Sequence, residues 1–353
     1  MCSKIIGARV YDIRSSGGAG VSPVDVGGHG SHTASTVAGR AVGNVSLSGL
    51  AGGTARGAVP GARLAVYKVC HRGGCDEANI LAADAAAIGS FHAMKRGVVT
   101  STAAGNSGPS AGRVTNVAPW LLSVAASSID RRFVDKIVLG NGKTIVGESI
   151  NTFPTLANAT LAFPINGSCH PEDLTRVSYK GKIVLCPRQN VLNTGIGPLL
   201  AGAAGAVIIG EYPDVALAVP LPALMVTQEQ LNEIMAYVNS TSNPVGTIAS
   251  TEATSNLQAP IAASFSSPGP NLITPEILKP DISAPGIDVI AAWSPLSSPT
   301  GSRDDKRSVL YNIESGTSMA CPHVTGAAAY VKSFHRDWSP AMIMSALITT
   351  GQS

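Results

Sequence analysis

A change of rhythm along the chain restricts its fold more than any other feature. Up to about residue 128, apolar strand-like runs (ARLAVYKV, VVTSTAA, WLLSVAAS) alternate with a helical pattern, NILAADAAAIGSFHAMKRG. Such alternation favours a parallel sheet, because parallel neighbours need a long crossover that packs on the sheet face. From about residue 130 to 256 the runs shorten to KIVLG, KIVLC and GAVIIG between Pro, Gly and Asn turns, which reads as a separate β-rich insert. The first rhythm resumes at SFSSPGP and DVIAAWS and closes with two helical patterns, SMACPHVTGAAAYVKSFH and SPAMIMSALITT. Ser339 before Pro340 predicts the start of the last helix, with the hydroxyl as cap and the proline in the first turn. The expected organisation is residues 1–149 and 257–353 for the two parts of an α/β unit, with 150–256 as the insert.

The 353 residues, 44% of them hydrophobic, can bury a large core. A net charge of +3, evenly spread, excludes a nucleic-acid footprint and a polybasic membrane patch. Residues 199–210, the longest apolar stretch, fall well short of the roughly 18 apolar residues of a membrane span. The opening MCSKIIGARV lacks the apolar core and small-residue cleavage site of a secretory signal.

Six cysteines stand at Cys2, Cys70, Cys75, Cys169, Cys186 and Cys321. Cys70 and Cys75 are close enough for a tight local disulfide, and Cys169 and Cys186 flank a longer loop. Closing that loop contributes about 3 kcal/mol in the chain-entropy model. A zinc site through Cys70, His71 and Cys75 lacks a fourth ligand nearby. Four sequons, at Asn44, Asn158, Asn166 and Asn239, fit an oxidising, glycosylating compartment.

Three short motifs carry candidate chemistry. In SGTSMACPH, residues 315–323, Ser318 falls at the start of a helix, and Pro322 is expected in the first turn. Free N–H groups and the helix dipole there can stabilise an oxyanion, although a plain serine cap has the same look. In GGHGSHTASTVAG, residues 27–39, His29 opens a small-residue helix, and its ordinary pKa near 6.5 suits a general base. His32 shares its face and reads as structural, since no HExxH glutamate accompanies it. In STAAGNSGP, residues 101–109, Asn106 stands at the C-terminal tip of a strand, where parallel sheets bind ligands. Its amide is a candidate oxyanion donor, against the plainer reading of an Asn-Ser-Gly-Pro turn.

Base, amide donor and nucleophile in the order His, Asn, Ser resemble the subtilisin family of serine proteases (peptidase S8). KIIGAR, GHGSHTAS, the Cys70 to Cys75 segment, AAGNSGP, ILKPDISAPG and SGTSMACPH together resemble plant subtilases of the cucumisin-like group. The resemblance implies a subtilisin-like α/β fold with an incomplete parallel sheet flanked by helices. The insert, with GKIVLC and GAAGAVIIG, is similar to that group's protease-associated domain. It further implies a polypeptide substrate, with Ser318 as nucleophile, His29 as general base and Asn106 at the oxyanion. No metal or organic cofactor is implied. A propeptide or protein inhibitor is an implied partner, and the implied location is extracellular, in the apoplast.

The chain departs from the family pattern in several places. The family's catalytic Asp lies on a strand preceding the segment that matches KIIGAR, so it is expected to be missing. Asp12 and Asp25 precede His29, and neither matches that position. Within NILAADAAAIGSFHAMKRG a substrate-binding strand and loop have no counterpart; Ile80, Leu81, Ala85, Ile88, Phe91 and Met94 are expected on one face of a single helix. Pro268 replaces a usual Arg, a C-terminal fibronectin-like domain is not represented, and Cys2 and Cys321 are expected unpaired. An impaired or truncated protease, with an insert that binds polypeptides, is therefore the alternative expectation.

Overall fold

The computed structural model describes residues 4–10, 22–71, 74–75, 82–174, 177–187 and 195–352. Cys2, Asp12, Ile80 and Leu81 lie outside them. The chain begins with β1 (Ile5–Val10), α1 (His29–Ala38), the hairpin β2 (Val42–Leu47) and β3 (Leu50–Ala55), and β4 (Leu64–Lys68). β1 and β4 pair in parallel as a two-stranded fragment. Next, β5 (Cys70–His71) and β6 (Gly74–Cys75) form a short antiparallel ladder that sets Cys70 directly opposite Cys75, and Cys70 is disulfide-bonded.

The helical pattern that follows forms α2 (Ala82–Lys95). Phe91 packs on Trp120 at 5.0 Å, and the Trp120 indole N–H donates to the Ala87 carbonyl at 2.9 Å. Ile88 does not belong to that buried face, for it is 59% exposed. β7 (Ser101–Ala103) and β8 (Leu122–Ser127) come next and, with β19 (Ile282–Pro285), make a three-stranded parallel sheet in the order β19-β8-β7.

The insert begins where the rhythm of the sequence changes, near residue 130, and not at the domain boundary of 150. It comprises β9 (Arg131–Leu139), β10 (Thr144–Gly147), β11 (Ser149–Ile150), β12 (Leu156–Ala162), α3 (Pro171–Leu174), β13 (Lys182–Cys186), α4 (Ile196–Leu200) and β14 (Gly205–Ile209). It continues through β15 (Leu217–Ala218), β16 (Ala223–Val226), α5 (Gln228–Asn239), β17 (Val245–Ile248) and β18 (Glu252–Ser255). One sheet runs β10-β9-β17-β12-β13-β14-β16, with β18 against β9. The expected boundary at residue 150 therefore cuts this sheet, since β9 and β10 precede it; the sheet spans residues 131–255. Four neighbours in it, β12-β13-β14-β16, are parallel and nearly all apolar, and α5 covers them through Leu231, Ile234 and Tyr237. Cys169 and Cys186 are joined by a disulfide.

The second part resumes with turns: SFSSPGP forms no strand, and its carbonyls instead fix the loop around Asn106, Gly108 N–H donating to Phe265 at 2.8 Å. After β19 come β20 (Val289–Ala292), β21 (Tyr311–Glu314), α6 (Thr317–Phe334) and α7 (Pro340–Thr349). Ser339 accepts from Met342 N–H, with Pro340 at the first helical position. β20 and β21 form an antiparallel pair. α6 lies on the three-stranded sheet, burying Ala320 and Val324 against Leu122, Val124, Ala126 and Ala284. Insert and α/β unit share a small core of Leu47, Phe133, Ile150, Ala216 and Ile313. Arg307, paired with Asp305 at 2.8 Å, also reaches across to the Val219 carbonyl at 2.6 Å. Among the described residues no helix is long and apolar enough to cross a membrane.

Gly326 of α6 lets the segment after β3 pack directly on the helix: a Cβ there would lie 2.3 Å from Ala58 Cβ. Gly326→Ala is expected to force that segment off α6 and lower stability by about 1–3 kcal/mol. Gly61→Ala, which meets nothing within 4 Å, is expected to stay within about 0.5 kcal/mol of the parent. Urea unfolding of both variants checks the pair.

Candidate active site

α6 starts at a glycine held from below. Gly316 N–H donates to the Gly286 carbonyl at 2.8 Å, and the preceding Ser315 hydroxyl accepts from Asp288 N–H at 2.8 Å. Ser318 is thus the second residue of a helix whose first turn is anchored on β19 and β20. Pro322 is the sixth residue, in the second turn and not the first as expected from sequence. Having no N–H, it leaves the Ser318 carbonyl without its intrahelical donor.

Asn106 is locked to this turn through its oxygen. Oδ1 accepts from Thr317 N–H at 2.9 Å and from the Thr317 hydroxyl at 2.7 Å. A backbone N–H can only donate, so the amide orientation is fixed and Nδ2 faces the other way. The loop supports this: Gly105 adopts φ +104°, where a Cβ would strike Ser267 and Thr115, and Ser107 N–H donates to Ser267 Oγ at 2.9 Å.

Two donors converge as a result. A Cβ on Gly316 would lie 3.5 Å from Asn106 Nδ2 and 3.6 Å from Ser318 N. The missing side chain leaves a small cradle with an amide N–H and a helix N-terminal N–H on its walls. No hydrogen bond to either donor is found among the described residues. Pre-set donors around an empty space next to a hydroxyl are the arrangement that stabilises an oxyanion during acyl transfer.

His29 is the first residue of α1. The turn before it needs glycine at 28, with φ +92° and the Trp293 ring where a Cβ would be, at 2.3 Å. Gly28 provides no side-chain cap, so Asp25 does that work. Its Oδ1 accepts from Gly27 and Gly28 N–H at 3.0 and 2.9 Å, and its Oδ2 from Ser31 N–H and Ser31 Oγ, both at 2.7 Å. Burial alone would raise the Asp25 pKa, but the bonds from Ser31, Gly28 and Gly27 outweigh it and hold the carboxyl below its ordinary value. Burial moves the His29 imidazole below its usual 6.5, opposed by the charge of Asp25, so it is neutral at pH 7. That is the state a general base requires.

α1 is bolted to β20. His32, fully buried and pushed down to about 4 by burial, donates through Nε2 to the Val289 carbonyl at 2.9 Å. Ala292 N–H donates to Ser35 Oγ at 3.0 Å, and Ser294 Oγ to the Asp25 carbonyl at 2.6 Å. Because β21 leads directly into the Ser318 turn, both helices spring from one ladder. Ser318 and Asn106 are brought together in this structure, whereas no hydrogen bond joins His29 to Ser318. Apo catalytic contacts are often long, and α1 packs on α6 with Val37 O 3.9 Å from the Gly326 Cβ position. The remaining expected residues, Asn44, Asn158, Asn166 and Asn239, are all exposed. Sequence reasoning missed the Thr317 clamp and the capping by Asp25. The Thr-Ser pair and the Asp six residues before Ser31 were visible signals for both.

A family model described as the Subtilase family matches residues 12–353. The chain belongs to that family. It is 44% identical over 386 residues to Subtilisin-like protease SBT4.4 of Arabidopsis thaliana, covering 99% of this chain and 51% of that protein. For Subtilisin-like protease SBT4.8 of the same plant the identity is 44% over 380 residues, covering 99% and 50%. The chain thus spans about half the length of these relatives. Both alignments are longer than its 353 residues, so the relatives carry residues without a counterpart here. Among solved structures, the psychrophilic subtilisin-like protease Apa1 from Pseudoalteromonas sp. AS-11 covers 98% of this chain and 83% of that one at 16% identity and TM-score 0.40. Sphericase covers 92% and 70% at 19% identity and TM-score 0.38.

Two carboxyls flank the Ser318 turn without a basic partner at ion-pair distance among the described residues: Asp288, bonded to Ser315, and Glu314, bonded to Asn312 Nδ2 at 2.7 Å. Burial pushes both up to about 7, and Asp135 in β9 likewise. A raised folded pKa means the native state holds the proton more tightly. This contribution to stability is complete below about pH 4 and disappears as pH rises through about 7. Thermal unfolding is expected to occur at lower temperature at pH 8 than at pH 5, with stability falling by up to about 1.4 kcal/mol per pH unit per group. Asp288→Asn and Glu314→Gln are each expected to flatten that slope, checked by calorimetry across the same range.

Proposed function

We propose that this chain is a subtilisin-like serine endopeptidase working by acyl transfer. The observation that carries the reading is the convergence of Asn106 Nδ2 and Ser318 N–H over Gly316 beside the Ser318 hydroxyl. In this reading the Ser318 oxygen attacks the peptide carbonyl carbon while His29 takes its proton, and the carbonyl oxygen gains charge within the cradle. The C–N bond then breaks, His29 returns the proton to the leaving amine, and water releases the acyl group by the same steps in reverse order. Thr317 is a positioning residue, since it acts by holding Asn106.

Among the described residues the carboxylate acting on His29 is Asp25, and both of its oxygens are occupied by capping. Loss of an orienting Asp from a characterised triad lowers turnover by about 10⁴, so slow hydrolysis is expected of this chain. That same commitment of Asp25 favours a second reading: a catalytically impaired protein whose insert, acting as a protease-associated domain, binds polypeptides. The insert's self-contained core and its disulfide support it. A propeptide or protein inhibitor is the proposed partner of the site. Extracellular location is supported by the two cysteine pairs and four exposed sequons.

Labelling by a fluorophosphonate probe is the test. Ser318 is expected to react and Ser318→Ala not to; a folded sample with no labelling overturns the endopeptidase reading. Asn106→Ala is expected to slow peptide hydrolysis by about 10²–10³ in kcat. Thr317→Val, which removes one of the two bonds to Asn106, is expected to cost less in kcat and to leave KM unchanged.

A further inference from the structure

Beside the C-terminal half of α1 lie two cavities of about 480 and 310 Å³ that share Ala55, Arg56 and Ile290 and so form one groove. Arg40 and Arg56 line it and are exposed, and Arg131 lines its far end. No Asp or Glu lines either cavity. The larger cavity is lined mainly by apolar surface, with Ile290 and Tyr311 among its residues, and Ile290 continues into the smaller one. Arg131 is held ready: Nη2 donates to the Asp288 carbonyl at 2.8 Å, and its guanidinium lies 5.2 Å from the Phe133 ring centre. A guanidinium fixed this way loses little freedom on binding. Arg40 and Arg56 make neither ion pairs nor side-chain hydrogen bonds among the described residues. Asp130 and Asp288 exert their fields on Arg131, and Glu252 lines an adjoining cavity.

We propose that this groove docks an acidic segment of another polypeptide, apart from the nucleophile site. Three guanidinium groups spread over two joined cavities, the larger of them mainly apolar, match carboxylates spaced along a chain better than one small anion. The lining residues from α1 and α6 lie five or more residues along their helices from the candidate pair, from His323, five beyond Ser318, and Ser35, six beyond His29, to Gly39, ten beyond His29. At about 1.5 Å per residue this is roughly 8–15 Å along the helices, far enough for docking and hydrolysis to be separate events. Binding therefore does not depend on the protease reading and can be measured with Ser318→Ala protein.

The test is fluorescence anisotropy of a labelled hexaglutamate peptide, with hexaglutamine and hexalysine peptides as controls and inorganic phosphate as competitor. Hexaglutamate is expected to bind about tenfold or more tighter than hexaglutamine, and Arg40→Glu and Arg56→Glu are each expected to weaken it about tenfold. Raising salt from about 0.01 to about 1 M, which shortens the Debye length from about 30 to about 3 Å, is expected to abolish the preference. Both arginines are exposed, so an unchanged melting temperature verifies that the variants fold. Three results overturn the proposal: equal binding of the glutamate and glutamine peptides, unchanged affinity in the Arg40→Glu, Arg56→Glu double variant, or phosphate binding as tightly as the peptide, which means a small-anion site only.

Discussion

The His32 to Val289 hydrogen bond, buried and closed to solvent, is the contact on which the site most depends. It fastens α1 to β20, and the β20–β21 ladder carries the chain straight into the first turn of α6. The helix bearing the candidate base and the helix bearing the candidate nucleophile are thereby referred to one rigid pair of strands. Burial keeps His32 neutral, so its imidazole binds a carbonyl without the desolvation penalty of a charge. Glycine then permits the closeness: Gly28 under Trp293, Gly326 against Ala58, and Gly316 between Asn106 and Ser318.

The same ladder connects the site to the insert. Asp288 precedes β20, bonds Ser315 ahead of the candidate nucleophile and offers its carbonyl to Arg131 of β9. Phe133 and Ile150 from the insert side pack with Ile313 of β21. Proton binding by buried carboxyls at this seam and the order of the nucleophile turn are therefore parts of one structure. The β-rich unit is built into the wall behind the site, with its own core further out.

Much of this was legible in the sequence, and the limits have physical causes. Ser318, His29 and Asn106 stand in motifs whose small residues demand close approach, so glycine spacing marked the elements correctly. The last helix was readable from Ser339 and Pro340 because capping is local chemistry. The change of rhythm near residue 130 marked where the insert begins, whereas the boundary drawn at 150 cut its sheet, because β9 and β10 join it through partners about a hundred residues away, such as β17. SFSSPGP resembled a strand by position yet forms turns, because tertiary bonds to the Asn106 loop decide its shape. Pro322 lies deeper in its helix than a first-turn rule allows, leaving the carbonyl of the candidate nucleophile Ser318 without its helical donor.

The central claim is that α1 and α6 bring the His29 imidazole within reach of the Ser318 hydroxyl. The most direct measurement is mass-spectrometric mapping after treatment with a peptidyl chloromethyl ketone, which alkylates an imidazole when a neighbouring serine first adds to its carbonyl. The account predicts one adduct, on His29, that disappears in Ser318→Ala protein. An unmodified His29 in folded protein, or an adduct indifferent to Ser318, would contradict it.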